Sequence, residues 1–410
     1  MLVPLTNTPR DYGWGSRDAI ARLQGRAPSG TPEAEVWFGD HPGAPALVAD
    51  GSGLTLDTWI AAHGAENGIA GPLPFLLKLL AAESPLSIQA HPTIEQARAG
   101  FEREEAARVP RDAAHRNYRD ANHKPEVIVA IEGDFEALAG FRPADELVAL
   151  LDVLDVDDPD ARRLRSALGG ADAGAEGDGE GDARAAIATF VGTLLAGGAG
   201  GGAALISAAS TARASRFAED FDALRRIEES YPGDPGVAVA LLMNRIVLSE
   251  GEALFVPAGV PHAYLRGLGV EIMAASDNVL RGGLTPKHVD VPELLSVLDT
   301  RPGRVEVLTP VVEAPEVDVF APPVSDFSLV RVRRDGADQD ATDQDESGPE
   351  TSVALRGPTI ALATRGRPSI VGSAATLTLA PGEACLVTPD EGAVRIGGSG
   401  EVFLARPGQS

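Results

Sequence analysis

Lys124-Pro-Glu-Val-Ile-Val-Ala-Ile131 is the stretch on which the fold reading turns. Proline drives the residue before it into an extended conformation, and it is tolerated at the first position of a strand, where its missing N–H is not needed. Val127, Val129 and Ile131 then alternate along a β-branched run, which predicts a strand from Pro125 onward. Strand side chains alternate with a period of two, so Lys124 and Glu126 share a face. Upstream, Leu86, Ile88 and Ala90 alternate with Ser87, Gln89 and His91, predicting a second strand with Ser87, Gln89 and His91 side by side. Ile94 to Ala107 lies between them, rich in Ala, Glu, Gln and Arg with no internal proline, and reads as a helix.

From Ala144 to Ile227 the spacing becomes helical, with Leu147, Leu150, Leu151 and Leu154 on one face and a Gly-rich break at Gly169 to Gly181. After Val237 strand character returns, punctuated by Gly and Pro as in a jelly roll or barrel. A mainly β protein follows, divided as a first β domain over 1–143 and 237–303, an inserted helical domain over 144–236, and a second β domain over 304–410. One internal echo supports two copies of a β module. Leu248-Ser-Glu-Gly-Glu-Ala-Leu-Phe-Val-Pro257 matches Leu379-Ala-Pro-Gly-Glu-Ala-Cys-Leu-Val-Thr388 in residue type, a Gly-closed turn followed by an apolar strand. The first copy continues to His262, whereas the same offset in the second falls on Ala393, which makes the second copy structural.

The length of 410 residues exceeds what one core supports, about 250–300 residues. With 44% apolar and 23% charged residues the composition is globular. Apolar runs such as Leu73 to Ala82, interrupted by Lys78, fall short of the roughly 20 residues of a membrane span. Met1 to Ser16 has no basic segment followed by an apolar one, so a cytoplasmic location is expected, and a monomer is the expected state. Cys385 is the single cysteine, which excludes an internal disulfide and a thiolate cluster, so any metal is held by nitrogen and oxygen. The net charge of -25 argues against a nucleic-acid partner. A small phosphorylated ligand stays open, because screening over about 8 Å lets a local basic cluster dominate its own cleft. Ala171 to Asp182 and Asp335 to Glu350 read as solvated acidic linkers.

Gln89, His91, Glu126 and His262, the last in the Pro/Gly-rigid turn Val256-Pro-Ala-Gly-Val-Pro-His-Ala-Tyr264, form a four-donor set of the kind Zn²⁺ accepts. Donor type alone would also suit Mn²⁺, Fe²⁺ or Ni²⁺, and a strand His or Gln is most often simply hydrogen-bonded. His41, His63, His115, His123 and His288 are read in that ordinary way. In Glu271 to Lys287 a strand face carrying Glu271, Met273, Ala275 and Asp277 leads to a turn at Gly282 and Gly283 that presents Arg281 and Lys287. A planar Arg fork plus a Lys suits a phosphate or a developing enediolate, with Asp277 supplying part of the counter-charge to Arg281.

Asn117-Tyr-Arg-Asp-Ala-Asn-His-Lys-Pro-Glu126 resembles the signature of the type I phosphomannose isomerases. Tyr12-Gly-Trp-Gly15, Ala34-Glu-Val-Trp-Phe-Gly-Asp-His-Pro42, Ser87-Ile-Gln-Ala-His-Pro92, Pro261-His-Ala-Tyr264 and Ser276-Asp-Asn-Val-Leu-Arg-Gly-Gly-Leu-Thr-Pro-Lys287 resemble that family's other motifs, in the same order. Phe38 stands where the family often has Met and Leu280 where it often has Val, and the helical insert and the acidic stretch near Asp340 match it poorly. The resemblance implies a cupin (jelly-roll) catalytic domain with an inserted helical domain and a C-terminal cupin-like β domain. It implies one Zn²⁺ per chain on Gln89, His91, Glu126 and His262, with Arg281 as the family's essential arginine. Trp14, Glu35, Lys78, Ser87, Lys124, Glu271, Asp277 and Lys287 fall at positions lining the family's substrate pocket. The implied reaction is the interconversion of mannose 6-phosphate and fructose 6-phosphate through an enediol, with Glu271 as the preferred general base and Lys124 able to share that task. Two other classes remain, a metal-dependent cupin oxygenase and a sugar-phosphate-binding cupin without turnover.

Overall fold

The computed structural model describes residues 1–171, 179–198, 200–213, 216–334 and 350–408. The helices are α1 (Ala19–Leu23), α2 (Leu56–His63), α3 (Ile94–Ala106), α4 (Ala144–Leu154), α5 (Pro159–Ala171), α6 (Gly179–Ala196), α7 (Ala203–Thr211), α8 (Ala218–Ser230), α9 (Gly236–Leu241) and α10 (Val291–Val297). Before residue 304 the strands are β1 (Leu2–Thr6), β2 (Glu35–Phe38), β3 (Leu47–Val48), β4 (Phe75–Ala82), β5 (Gln89–Ala90), β6 (Glu126–Phe141), β7 (Met243–Leu248), β8 (Ala253–Val256), β9 (His262–Ala274) and β10 (Leu280–Arg281). Beyond it come β11 (Val311–Ala314), β12 (Val317–Phe320), β13 (Ser328–Arg334), β14 (Thr351–Ala354), β15 (Thr359–Gly366), β16 (Ser369–Val371), β17 (Thr376–Thr378), β18 (Ala384–Val387), β19 (Ala393–Gly397) and β20 (Gly400–Arg406). Among the described residues no helix is long and apolar enough to cross a membrane.

The Pro125 run opens β6, which pairs antiparallel with β7, β8 and β9. Its alternation serves two cores. Val127, Val129 and Ile131 pack with Leu77, Leu79, Val270 and Ile272 against Phe320, Leu329, Ile360, Leu386 and Phe403 of the other large sheet. Ile128 and Ala130 point the opposite way and join Leu80, Leu86 and Tyr264. One face of the β4–β6–β9 layer is therefore glued to a second sheet, and the other faces inward with Lys78, Glu126 and Glu271 among its apolar neighbours. Gln89 and Ala90 alone of the alternating segment Leu86 to His91 are strand, paired with β10 and meeting His262 at Gln89. Helix α3 follows, its N-terminus closed by a capping box between Thr93 and Gln96.

Helices α4 to α9 intervene between β6 and β7. Leu147, Leu150, Leu151 and Leu154 share the buried face of α4. The acidic stretches fall mostly outside the described residues, at 172–178 and 335–349, while 169–171 and 179–182 lie in helices. Two expectations are corrected. Strand character does not return at Val237, because Gly236–Leu241 forms α9 with all six residues buried. An unbroken apolar run has no period that separates a buried helix from a buried strand. The assignment of residues 1–143 wholly to the first β domain is also revised: β1 pairs with β18, and the second large sheet runs β11-β12-β13-β20-β15-β18-β1-β3. An eight-stranded sheet completed by a strand from the opposite terminus leaves no trace in local pattern.

The echoed segments are the same turn built twice. Gly251 (φ +87°) and Gly382 (φ +81°) occupy the left-handed region in both. Glu252 Oε2 accepts from the Ser249 N–H and Glu383 Oε2 from the Ala380 N–H, each at 2.8 Å, before β8 and β18 begin.

The helical segment also fixes the turn carrying Arg281 and Lys287. Asp234 accepts from the N–H groups of Gly236 (2.7 Å), Leu284 (3.1 Å) and Thr285 (3.1 Å). Gly236 then lies so close to the turn that a Cβ there would stand 2.5 Å from the Leu284 nitrogen. Gly236→Ala should cost about 1–3 kcal/mol of stability by overpacking, read as a lower urea midpoint. Gly169→Ala, where nothing lies within 4 Å, should leave the midpoint unchanged or raise it.

Candidate functional site

Two strand starts and one strand end bring the donor atoms together. Glu126 is the first residue of β6 and His262 the first of β9, each preceded by a proline, and His91 directly follows β5. His91 is fully buried; its Nδ1–H donates to the Asn278 carbonyl at 2.7 Å, which leaves Nε2 with its lone pair. That Nε2 lies 3.3 Å from Glu126 Oε1, and His262 Nε2 lies 3.2 Å from Glu126 Oε2. His262 Nδ1–H is directed at the Val260 carbonyl, 3.3 Å away. The donor atoms of His91, Glu126 and His262 all lie within 4.8 Å of one another.

Burial and neighbouring charge set the protonation of this group. Burial, followed by the Lys124 ammonium, lowers the His91 imidazole to about 4. Burial works against the Glu126 charge, yet Lys124, whose Nζ is 2.6 Å from Oε1, outweighs it together with the two imidazoles and holds the carboxyl well below the usual range. The result is a neutral His91 beside an ionised Glu126. His91 Nε2 is fully enclosed with no hydrogen-bond partner. A buried acceptor left this way is costly, and a divalent cation satisfies it, since metal-binding imidazoles characteristically direct their other nitrogen to a carbonyl. His91, Glu126 and His262 thus fit one metal ion, and Gln89, in register with His262, can add an amide oxygen.

The site opens into a cavity of about 390 Å³ lined by Trp14, Glu35, Lys78, Ser87, Gln89, Lys124, Glu126, His262, Glu271, Asp277, Arg281 and Lys287. All of these were singled out from the sequence; His91 sits behind the wall. Lys78 donates to Glu271 at 2.9 Å across paired strands β4 and β9, and stands 3.9 Å from Glu35 on β2, the other neighbour of β4. Burial raises the Glu271 carboxyl; Lys78 opposes that, and Glu126 and Glu35 push it further up. Burial also raises the Tyr264 hydroxyl, with the charge of Glu271 next in size, so it stays protonated.

A second group in the same cavity is cationic. Among the described residues, no carboxylate pairs with Arg119, Arg281 or Lys287. Burial, then Arg119, lowers the Arg281 guanidinium; burial, then Arg281 and Arg119, lowers Lys287. Asp277 does not supply the expected counter-charge to Arg281. Strand β9 stops at Ala274, and Asp277 lies beyond it, with Oδ2 3.3 Å from His41 Nε2. His41 therefore has a partner at the site that sequence reading passed over. Arg119 was missed as well, although it stands within the Asn117 to Glu126 motif; its place inside that run was the available signal. Trp37, whose Nε1–H donates to Glu35 at 2.7 Å, and the Tyr12–Trp14 stack complete an aromatic side of the cavity.

Comparison with known proteins places this geometry. Residues 2–144 match the family profile described as phosphomannose isomerase type I, catalytic domain. The mannose-6-phosphate isomerase of Escherichia coli (strain K12) is 34% identical over 409 residues, 97% of each chain. That of Homo sapiens is 34% identical over 368 residues, covering 82% of this chain and 83% of the human one. The crystal structure of mannose 6-phosphate isomerase from Salmonella typhimurium with fructose 6-phosphate and zinc superposes with a TM-score of 0.85 at 31% identity, covering both chains completely.

The protonation pattern has a measurable consequence for the metal-free protein. An unfolded His91 titrates near 6.5, whereas the folded one titrates near 4, so between those values the unfolded state binds the extra proton. Stability contributed by neutral His91 is present above pH 6.5 and is lost as pH falls toward 4. His91→Gln should flatten this part of the stability profile, followed by urea unfolding at a series of pH values. An unchanged slope would show that His91 is not held neutral.

Proposed function

Because the chain belongs to the type I phosphomannose isomerases, we propose that it interconverts mannose 6-phosphate and fructose 6-phosphate using one zinc ion. Gln89, His91, Glu126 and His262 would hold that ion. The observation that carries the reading is a buried His–Glu–His donor set at the wall of one cavity that also holds three cations with no carboxylate partner among the described residues. A sugar phosphate asks for both. The same reading takes the enzyme as a cytoplasmic monomer, and the net charge of -25 is unsuited to a nucleic-acid partner.

Isomerisation moves a proton between C1 and C2 and must stabilise the enediolate formed between them. When bound, zinc supplies Lewis-acid polarisation of the sugar oxygens. Glu271 takes the proton from one carbon and returns it to the other, its basicity set by burial against the Lys78 ion pair. Lys124 keeps Glu126 ionised and stands ready to donate to a sugar oxygen. Arg281, with its planar fork, opposes the charge of the enediolate, and Lys287 and Arg119 take the phosphate as flexible charges at the more exposed part of the cavity. Trp14 packs against the sugar, while Ser87, Glu35 and Asp277 bond its hydroxyls.

A coupled assay with mannose 6-phosphate should show turnover that chelation abolishes and added zinc restores; turnover that survives complete metal removal would sink the zinc assignment. The two cation roles separate kinetically. Arg281→Ala should lower kcat by about 10²-fold with little change in KM, as for a lost oxyanion donor. Lys287→Ala should chiefly raise KM. The reverse pattern would exchange the roles.

A further inference from the structure

Asn278 is fully buried, and both ends of its side-chain amide are bonded. Nδ2 donates to the backbone carbonyls of Asp120 and Asn122, each at 2.8 Å. Oδ1 accepts from the N–H of Arg119 at 2.7 Å and of Asp120 at 3.3 Å. The backbone carbonyl of the same residue accepts from His91 Nδ1 at 2.7 Å, the bond that leaves His91 Nε2 free. Asp120 answers from the other loop, its carboxylate accepting from the Ser276 hydroxyl and the Asp277 N–H, each at 2.8 Å. Two loops without regular structure, 119–122 and 275–278, are thus laced together, with Asn278 making the bonds that also reach His91.

We propose that Asn278 is a positioning residue that couples the donor geometry of His91 to the placement of Arg119. Its backbone orients the imidazole toward the metal; its side chain holds the peptide from which Arg119 reaches the cavity. Only a primary amide offers two donors and two acceptors in one plane, so Asp, of equal size, would keep the bonds to the two N–H groups and lose those to the two carbonyls. It would also set a second carboxylate against Asp120, 3.2 Å from the present Nδ2. Loosening the lacing moves the Asn278 carbonyl and the Arg119 backbone together. Metal affinity and phosphate affinity then fall as a pair.

This inference rests on the metal and phosphate roles proposed above, and the test keeps the two apart. Zinc affinity is measured by competition with a chromophoric chelator, and phosphate affinity as the inhibition constant of inorganic phosphate on the zinc-loaded enzyme. Wild-type protein that binds neither would remove the earlier reading and this one with it. With wild-type binding in hand, Asn278→Asp should weaken zinc by about 10- to 100-fold, the range for lost outer partners of a metal-ligating imidazole. Phosphate should weaken by roughly 3-fold, as for one displaced solvent-exposed charge contact. A lower unfolding temperature with both constants at wild-type values would reduce Asn278 to a structural residue and overturn the proposal; a change in one constant without the other would overturn the coupling. Should Asn278→Asp fail to fold, Ser276→Ala, which removes the hydroxyl bonds to Asp120, to the Asn122 carbonyl and from the Asn278 N–H, must give the same paired shift at smaller size. Wild-type constants in that variant would also overturn it.

Discussion

An ionised carboxylate in a protein interior is affordable only if every side of it is compensated, and Glu126 is the place where this chain meets that demand. Two imidazole nitrogens at 3.2 and 3.3 Å and an ammonium at 2.6 Å surround it. Each comes from a different segment, so β5, β6 and β9 must be brought to one point before the charge is satisfied. A half-assembled site would leave a bare buried charge. The donor set and the fold are consequently specified together.

The sheets provide the rigidity that this requires. Strands β4, β6 and β9 carry two separate apolar sets, one facing the second sheet and the other facing the cavity. A slip of one residue in β6 would exchange Val127 and Val129 with Glu126 and Ile128, placing a carboxylate in the inter-sheet core. The same alternation places Lys78 opposite Glu271, so the ion pair that tunes the proposed base is a cross-strand pair fixed by register.

Against a net charge of -25, a cavity with three cations that have no carboxylate partner among the described residues stands out. Burial first, and then their mutual repulsion, lowers Arg281 and Lys287, and an arrangement that holds like charges close is stabilised by an anion placed among them. The helical segment supports this arrangement from outside. Asp234 grips the turn between Arg281 and Lys287, and Gly236 permits the close approach. The insert therefore reaches the chemistry through the backbone of that turn.

Much of the site was legible in the chain because strand periodicity is local: Gln89 and His91, and Lys124 and Glu126, are paired two residues apart wherever the strand happens to lie. The ordered motifs around them identified the family on the same local grounds. The helix of α4 and the repeated Gly-turn module were readable for the same reason, each being set by residues within one or two turns of one another. What stayed hidden depends on partners far away in sequence. Asp277 turns to His41 and not to Arg281, Arg119 joins the cations, β1 completes a sheet with β18, and Val237 to Leu241 coil into a helix. The sequence by itself determined the family and which neighbours share a face. Only the tertiary structure decided which charges meet, because pairing energy depends on distance and burial, and these arise when segments hundreds of residues apart are packed together.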